Sequence, residues 1–291
     1  MSPIAIQSPD LRAQISPLGA ELVSLQDAQG RDYLWNGDPE FWGGRAPLLF
    51  PIVGKVPDDR IMVNGRTYPM RQHGLARHKA FDLVASSPSA CVFALASSEE
   101  TRRSYPFDFR LEARYEIHAA TLRMEVVVTN EGSDDMPFSF GFHPAFRWPL
   151  PEGGAKEAHR LIFDEPETRP IRRLDAGLLR PSPAPNPVEG RLLALREELF
   201  AEDVMIFESP TSRAMTYAGQ QGPAIRVAYP DMPHLGLWSR PGAGFICLEP
   251  WQGFAAPHDF TGELATKPGV VRVAPAASRR FEMTVSLIHQ P

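Results

Sequence analysis

Apolar and polar residues alternate with a period of two along most patterned segments of this chain, and this alternation constrains the fold more than any other feature. In residues 110–117 the apolar side chains occupy every second position, and residues 121–129 and 280–288 repeat the pattern. Such alternation is typical of β-strands with one buried face. Because only residues 118–120 separate the first two runs, the sequence predicts that they form an antiparallel pair.

Turn residues and prolines extend this pattern to most of the chain. An Asn64-Gly65 pair between residues 61–63 and 66–68 predicts a hairpin with a type I′ turn. The 30 prolines argue against long helices, and the best helix candidate is the short segment 189–200. We therefore predict an all-β fold, a sandwich or related architecture with few short helices. Further strand candidates are residues 16–25, 90–95, 203–208, 224–229 and 244–248.

The length of 291 residues fits one large all-β domain or two smaller ones. Residues 149–187 carry many prolines and charges with little periodicity, as a linker or a long loop would. The β-pattern continues at similar density on both sides of this segment. We therefore interpret the segment as a loop and predict a single domain spanning residues 1–291.

Charge and cysteine content exclude several functional classes. The net charge is −5 and no basic stripe is visible, which argues against a nucleic-acid partner. The longest apolar stretch, residues 46–53, is broken by two prolines and is far shorter than the roughly 20 residues of a spanning helix. The start lacks the pattern of a secretory signal. Cys91 and Cys247 lack the spacing of a zinc site or a disulfide framework. We expect a cytoplasmic protein without a membrane partner, and the sequence leaves the oligomeric state open.

Three short segments combine ionisable side chains with turn-forming and aromatic residues. They are QHGLAR at 72–77, GFHPAF at 141–146 and CLEPWQG at 247–253. Loops at the rim of a sandwich can bring such segments together. Two histidines, a carboxylate, an arginine and aromatic faces suit a ligand with hydroxyl edges and an apolar ring face, such as a sugar. Each residue taken singly also has a structural explanation: an ordinary histidine, a core tryptophan, or a buried ion pair for Glu249.

In order and spacing these segments resemble the aldose 1-epimerase (galactose mutarotase) family, most closely its shorter bacterial branch. Leu75 stands where that branch usually has Phe, and the resemblance runs from about residue 10 to 288. It implies a β-supersandwich of mostly antiparallel strands, no metal and no cofactor. It also implies an isomerase that interconverts the α and β anomers of a free aldose. The matching stretches are LFPIVG at 49–54, QHGLAR, GFHPAF, LGLWS at 235–239 and CLEPW.

The resemblance further implies roles for individual residues. Glu249 would be the base that takes the proton of the anomeric hydroxyl, and His143 the acid that protonates the ring oxygen. His73 would hydrogen-bond the sugar and stabilise developing charge. The family's binding aspartate matches Asp203 best, with Asp231 as an alternative.

The binding arginine and the sugar platform are harder to assign. Arg45 is the favoured arginine and Arg77 the second choice, while either could be a structural ion pair. Trp238 is expected among the sugar-binding residues. If Arg45, Arg71 and Arg77 clustered, they could hold a phosphate, so a hexose-6-phosphate 1-epimerase is an alternative. A non-catalytic sugar-binding protein is another, and a glycosidase would need two carboxylates and leave the histidines idle.

Two prolines directly follow the proposed acid and base, as His143-Pro144 and Glu249-Pro250. A residue before proline is pushed toward an extended backbone, which narrows the directions its side chain can take. We hypothesise that these prolines help to hold the acid and the base in place. Chance is the alternative, since Glu165-Pro166 shows the same pairing with no proposed role.

Overall fold

The fold is built almost entirely from antiparallel strands. The computed structural model describes residues 2–289. Within this range the strands are, in chain order, β1 (Ile4–Gln7), β2 (Leu11–Ile15), β3 (Leu22–Asp27), β4 (Leu48–Leu49), β5 (Arg60–Val63), β6 (Arg66–Pro69), β7 (Asp82–Ser86), β8 (Ala90–Ala96), β9 (Phe109–His118), β10 (Thr121–Asn130), β11 (Met136–Phe138), β12 (Phe140–Phe142), β13 (Ala145–Arg147), β14 (Arg160–Phe163), β15 (Leu174–Asp175), β16 (Leu178–Leu179), β17 (Leu192–Ala194), β18 (Met205–Phe207), β19 (Ala214–Ala218), β20 (Pro223–Ala228), β21 (His234–Trp238), β22 (Phe245–Gln252), β23 (Val271–Val273) and β24 (Ser278–His289).

Helices are few and short. The α-helix α1 (Glu99–Arg102) is capped by Ser98, whose hydroxyl accepts a hydrogen bond from the backbone N–H of Thr101 at 3.2 Å. None of the helices in residues 2–289 is long and apolar enough to cross a bilayer. The 3₁₀ helices in the same range are Pro57–Asp59, Ala76–His78, Lys156–Ala158, Glu197–Phe200 and Leu264–Thr266.

Two large sheets pack face to face. One has nine strands in the order β17-β14-β19-β20-β24-β10-β9-β8-β7, and the other runs β18-β21-β22-β12-β4 with β13 also paired to β22. Between them Phe140 of the smaller sheet stacks on Phe281 of the larger, with ring centroids 4.8 Å apart. Phe207 of the smaller sheet also meets Phe163 of the larger, with ring centroids 5.8 Å apart and the rings tilted at 42°. The predicted all-β sandwich of mostly antiparallel strands is therefore confirmed.

Most strand predictions agree with this architecture. The predicted pair of runs is the hairpin of β9 and β10, in which Thr121 lies opposite His118. The Asn64-Gly65 turn joins β5 to β6, with both residues at positive φ as a type I′ turn requires. The final alternating run is β24, which lies between β20 and β10.

Three predictions need correction. Segment 189–200 is not an α-helix: it contains β17 and a 3₁₀ turn, because Leu193 and Leu195 are buried while their neighbours are exposed, the period of a strand. The strand expected at 16–25 starts only at Leu22, since positive φ values at Gly19 and Ala20 make a turn there. Segment 149–187 is not only loop, because β14 within it pairs with β17 and β19.

Alternation along β22 decides which side chains enter the core. Ile246 and Leu248 pack into the main core between the sheets. The odd-numbered residues point to the opposite, outer face, and they include Cys247, Glu249 and Trp251. The ionisable residues of this strand therefore lie on the outer face of the six-stranded sheet, beneath the surrounding loops.

Candidate active site

A cavity of about 280 Å³ opens on the outer face of the six-stranded sheet. Strands β18, β21 and β22 form its floor, and loops close its sides. Most of the residues singled out from the sequence meet here, although they come from segments far apart in the chain. The cavity is lined by Trp42, Gly54, Gln72, His73, Arg77, His143, Leu174, Asp203, Val204, Ile206, Trp238, Glu249, Trp251 and Ala255.

Strand register places His143 beside Glu249. Strand β12 pairs with β22 through Gly141 and Trp251, and β13 pairs with the same strand in the same register. Two residues inward from the Gly141–Trp251 pair, His143 lies opposite Glu249 on the neighbouring segment. The distance from His143 Nδ1 to Glu249 Oε2 is 3.2 Å, and neither atom forms a hydrogen bond with any of the described residues.

The two prolines lie where this ladder is interrupted. Strand β12 ends before His143 and β13 begins after Pro144. Proline has no backbone N–H, so neither Pro144 nor Pro250 can donate to a ladder at these positions. The carbonyl of Pro144 still accepts a hydrogen bond from the N–H of Leu248 at 3.2 Å, which keeps the segments together. His143 and Glu249 thus lie at a short gap between two paired stretches.

Burial drives both members of the pair toward their neutral forms. Glu249 is 1% exposed and His143 6%. Desolvation raises the pKa of Glu249 well above its usual value, the negative charge of Asp203 adds to this, and the Trp251 indole N–H acts in the opposite direction. Desolvation, with a further contribution from the positive charge of Arg77, lowers the pKa of His143 to about 3. A protonated Glu249 beside a neutral His143 satisfies both tendencies.

His73 is held in one orientation and one tautomer. Its backbone lies at φ 66°, and Gly74 follows at φ 75°, where a Cβ would come 2.2 Å from the carbonyl oxygen of Phe50. The backbone N–H of Gly54 donates to His73 Nδ1 at 3.1 Å. Because Nδ1 is the acceptor, the neutral ring carries its proton on Nε2, which lies 3.3 Å from the side-chain amide nitrogen of Gln72. Burial and the neighbouring His143 lower the pKa of His73, so this ring is a neutral hydrogen-bond donor.

Tryptophans surround His143 and Glu249. Trp42 stacks on the His143 ring with centroids 4.8 Å apart and planes at 23°, and Trp238 meets the same ring edge-on at 5.9 Å. Trp251 lies on the floor, where a Cβ at Gly236 would come 2.4 Å from its ring. The sequence analysis missed Trp42. The sequence did offer one indication of its position. Trp42 is an aromatic residue in a stretch, 36–45, that lacks the alternation of a strand, so packing into the core between the sheets would not explain it.

The structure does not bring the two candidate arginines together. Arg77 lines the cavity, and its Nη2 donates to the backbone carbonyl of Gln72 at 3.1 Å. Arg45, which the sequence analysis favoured, is not among the residues that line the cavity. Its Nη1 donates to the carbonyl of Val23 at 2.7 Å and its backbone N–H to the Glu21 carboxylate at 2.7 Å. Arg45 joins its loop to strand β3 and to Glu21 just before that strand, instead of facing the cavity.

Asp203 reaches the cavity rim from a strained turn, whereas Asp231 is exposed and does not line it. Asp203 has φ 65°, and the buried guanidinium of Arg173 donates to its backbone carbonyl at 2.7 Å and to that of Leu199 at 2.8 Å. Arg173 therefore fixes the turn that carries Asp203. Sequence reasoning missed it, because Arg172-Arg173 in a charged, proline-rich segment gives no sign that one of the pair is buried.

Comparison with known proteins is consistent across sequence and structure. The family model for aldose 1-epimerases matches residues 3–176. The protein LacX of Lactococcus lactis subsp. lactis is 32% identical over 295 residues, covering 97% of this chain and 99% of the relative. A galactose mutarotase related enzyme from Lactobacillus acidophilus superimposes with a TM-score of 0.92 at 30% identity, covering 98% of this chain and 97% of the other. A galactose mutarotase-like protein from Lactobacillus casei gives 0.91 at 32%, covering 99% and 100%.

Replacing Glu249 by glutamine should stabilise the protein, increasingly so at higher pH. In the native state the raised pKa keeps a proton on Glu249 that the unfolded chain loses above about pH 4.5, so the stability of the wild type falls as pH rises through that window. We expect Glu249→Gln to raise the free energy of unfolding at pH 8 by about 1–2 kcal/mol, and by less near pH 5. Denaturant unfolding at both pH values measures this, with the exposed Glu131→Gln as control. A destabilised Glu249→Gln variant would show that His143 holds the carboxylate ionised.

Proposed function

Since the chain belongs to the aldose 1-epimerase family and is an isomerase, we propose that it interconverts the α and β anomers of a free aldose. The observation that carries this proposal is the pairing of His143 with Glu249, 3.2 Å apart in a cavity with tryptophan walls. The cavity volume of about 280 Å³ lies at the lower end of small-molecule sites, which suits a monosaccharide.

Mutarotation needs one base and one acid at two oxygens of the same ring. Glu249 takes the proton of the anomeric hydroxyl, while His143 gives a proton to the ring oxygen, so the C1–O5 bond breaks and an aldehyde forms. The aldehyde carbon rotates and the O5 hydroxyl attacks its other face. His143 then takes back the O5 proton and Glu249 returns a proton to O1. Since Nδ1 of His143 faces Glu249, its Nε2 is the nitrogen that serves the ring oxygen.

The pair supplies both roles without exchanging protons with water. At rest burial favours a protonated Glu249 beside a neutral His143. Transfer of that one proton from Oε2 to Nδ1, across 3.2 Å, produces the carboxylate and the imidazolium that the reaction requires. The number of protons on the pair stays constant through opening and closure.

Other cavity residues bind and orient the sugar. The fixed Nε2–H of His73 donates to a sugar oxygen, and the carboxylate of Asp203 accepts from sugar hydroxyls at the rim. Arg77 donates from the wall, and its Nε is buried without a partner among the described residues. Trp238 offers an apolar face to the sugar ring.

An unphosphorylated substrate is favoured by the scarcity of positive charge. Among the described residues that line the cavity, Arg77 is the one arginine or lysine. Arg45 faces away, and Arg71 is exposed and outside the lining. Sites for phosphate typically use several charge-assisted or bidentate contacts. The arginine cluster that would have supported a hexose-6-phosphate substrate does not form around this cavity.

The direct test is acceleration of mutarotation. Fresh α-D-galactose and α-D-glucose should equilibrate faster with the protein, followed by optical rotation, than without it. Glu249→Gln and His143→Gln should each lower the rate by about 10²–10⁴-fold, the usual contribution of a general base or acid. Binding of sugar without acceleration by the wild type would support a non-catalytic sugar-binding protein, and acceleration only with glucose 6-phosphate would support the phosphosugar alternative.

The two arginines should behave differently. Arg77→Lys is expected to raise KM about tenfold, since a lysine cannot reproduce the donor fork of arginine, with a smaller change in kcat. Arg45→Lys is the matched control and should leave KM unchanged, although it weakens the contact to Val23 and lowers thermal stability. Steady-state kinetics on the same aldose measure both. A larger KM change in Arg45→Lys than in Arg77→Lys would contradict this assignment.

Pro144 and Pro250 should act on turnover more than on binding. Pro144→Ala and Pro250→Ala relax the backbone beside the acid and the base, and we expect kcat to fall about 10- to 100-fold, as small misplacements of reacting groups do. The dissociation constant of the sugar should change little. Pro166→Ala, which follows a glutamate outside the cavity lining, is the control. An unchanged kcat in both site variants would show that these prolines do not position the acid and the base.

A further inference from the structure

A buried thiol lies next to the acid–base pair and takes no part in the proton transfers. Cys247 is on the same outer face of β22 as Glu249, two residues earlier, and is fully buried. It packs with Trp35 and Phe245, below the tryptophans that flank His143. The sulfur of Cys247 and the carboxylate oxygen of Glu249 therefore lie close to the imidazole nitrogen of His143, which comes from the neighbouring segment.

We propose that His143, Cys247 and Glu249 bind a thiophilic divalent cation such as Zn²⁺, and that the bound cation excludes the sugar. One ligand atom from each of these residues lies within 4.8 Å of the other two. If three ligand atoms are at most 4.8 Å apart, a cation placed between them lies about 2.8 Å or less from each atom. Zinc bonds of about 2.0–2.3 Å then require side-chain shifts below about 1 Å.

The donor set favours zinc over the harder cations. Imidazole and thiolate suit Zn²⁺ and its neighbours, whereas Mg²⁺ and Ca²⁺ prefer oxygen ligands. A thiolate and a carboxylate together carry two negative charges, so a divalent cation makes the buried cluster neutral. Their protons leave to solvent as the cation binds. Three protein ligands and a fourth position open to the cavity correspond to the open form of zinc coordination.

Cation and sugar compete for the same atoms. Glu249 cannot take the anomeric proton while its carboxylate is a ligand, and His143 cannot deliver one. The cation is therefore an inhibitor and not a cofactor, so the inference goes beyond the proposed function. Its binding can be measured in the absence of any sugar, which keeps its failure distinguishable from failure of the mutarotase assignment.

Cobalt and zinc titrations of the metal-free, reduced protein test the site. Co²⁺ should produce the thiolate-to-cobalt charge-transfer absorption that only a cysteine ligand gives, and Zn²⁺ should abolish it by displacement. In calorimetry, Cys247→Ser should weaken Zn²⁺ binding about tenfold or more, since even loss of an outer-shell partner costs that much. Zn²⁺ should also slow mutarotation by the wild type, and excess aldose should relieve the effect.

The second cysteine supplies a matched control. Cys91 is equally buried but lies in β8 of the nine-stranded sheet, so Cys91→Ser should keep both the cobalt absorption and the zinc affinity. Thermal unfolding of each variant, with Cys247→Ala as a second replacement, shows that the fold is retained. Absence of the thiolate absorption in the wild type, or equal zinc affinity in Cys247→Ser and wild type, would overturn the proposal.

Discussion

The antiparallel register between β22 and the short strands β12 and β13 determines where the side chains of His143 and Glu249 meet. In that register residue 143 lies opposite residue 249, and the 3.2 Å contact between their side chains follows from it. His143 and Glu249 are therefore placed by strand pairing and not by the conformation of a loop. Backbone hydrogen bonds on either side of the gap hold the positions, so the pair is set by the rigid part of the molecule.

Strand β22 also places apolar side chains on one face of the sheet and ionisable side chains on the other. Leu248 enters the core that joins the sheets, and Glu249, the next residue, enters the cavity. Burying a carboxyl group there lowers the free energy of unfolding, and the apolar burial in the large core offsets this loss. In that buried position both side chains favour their neutral forms, so the proton rests on the carboxyl group of Glu249. The buried Arg173 contributes differently: it holds in place the turn that carries Asp203 at the cavity rim.

Much of this could be predicted from the sequence because strand periodicity and turn residues are local signals. Period two identified β9, β10 and β24, and Asn64-Gly65 identified a hairpin. Local signals failed where tertiary contacts decide. Residues 189–200 have helix-forming side chains, but burial of Leu193 and Leu195 imposes a strand period. Arg45 and Arg77 both stood near recognisable motifs, and only the packing of loops shows which one reaches the cavity. Arg173 and Trp42 gave almost no local sign of their positions.

The gap between β12 and β13 constrains chain length more than the surrounding loops do. Since side chains alternate faces at every residue, one residue gained or lost between Gly141 and Ala145 would rotate His143 away from Glu249. That stretch is locked in length. The segments that carry Trp42 and Asp203 lie outside the ladder and can lengthen, shorten or exchange side chains without disturbing it. The segment that carries His73 is more constrained, because Gly74 is bridged to Phe50 beside β4. A lineage with this fold can therefore vary the rim of the cavity while the contact between His143 and Glu249 stays constant.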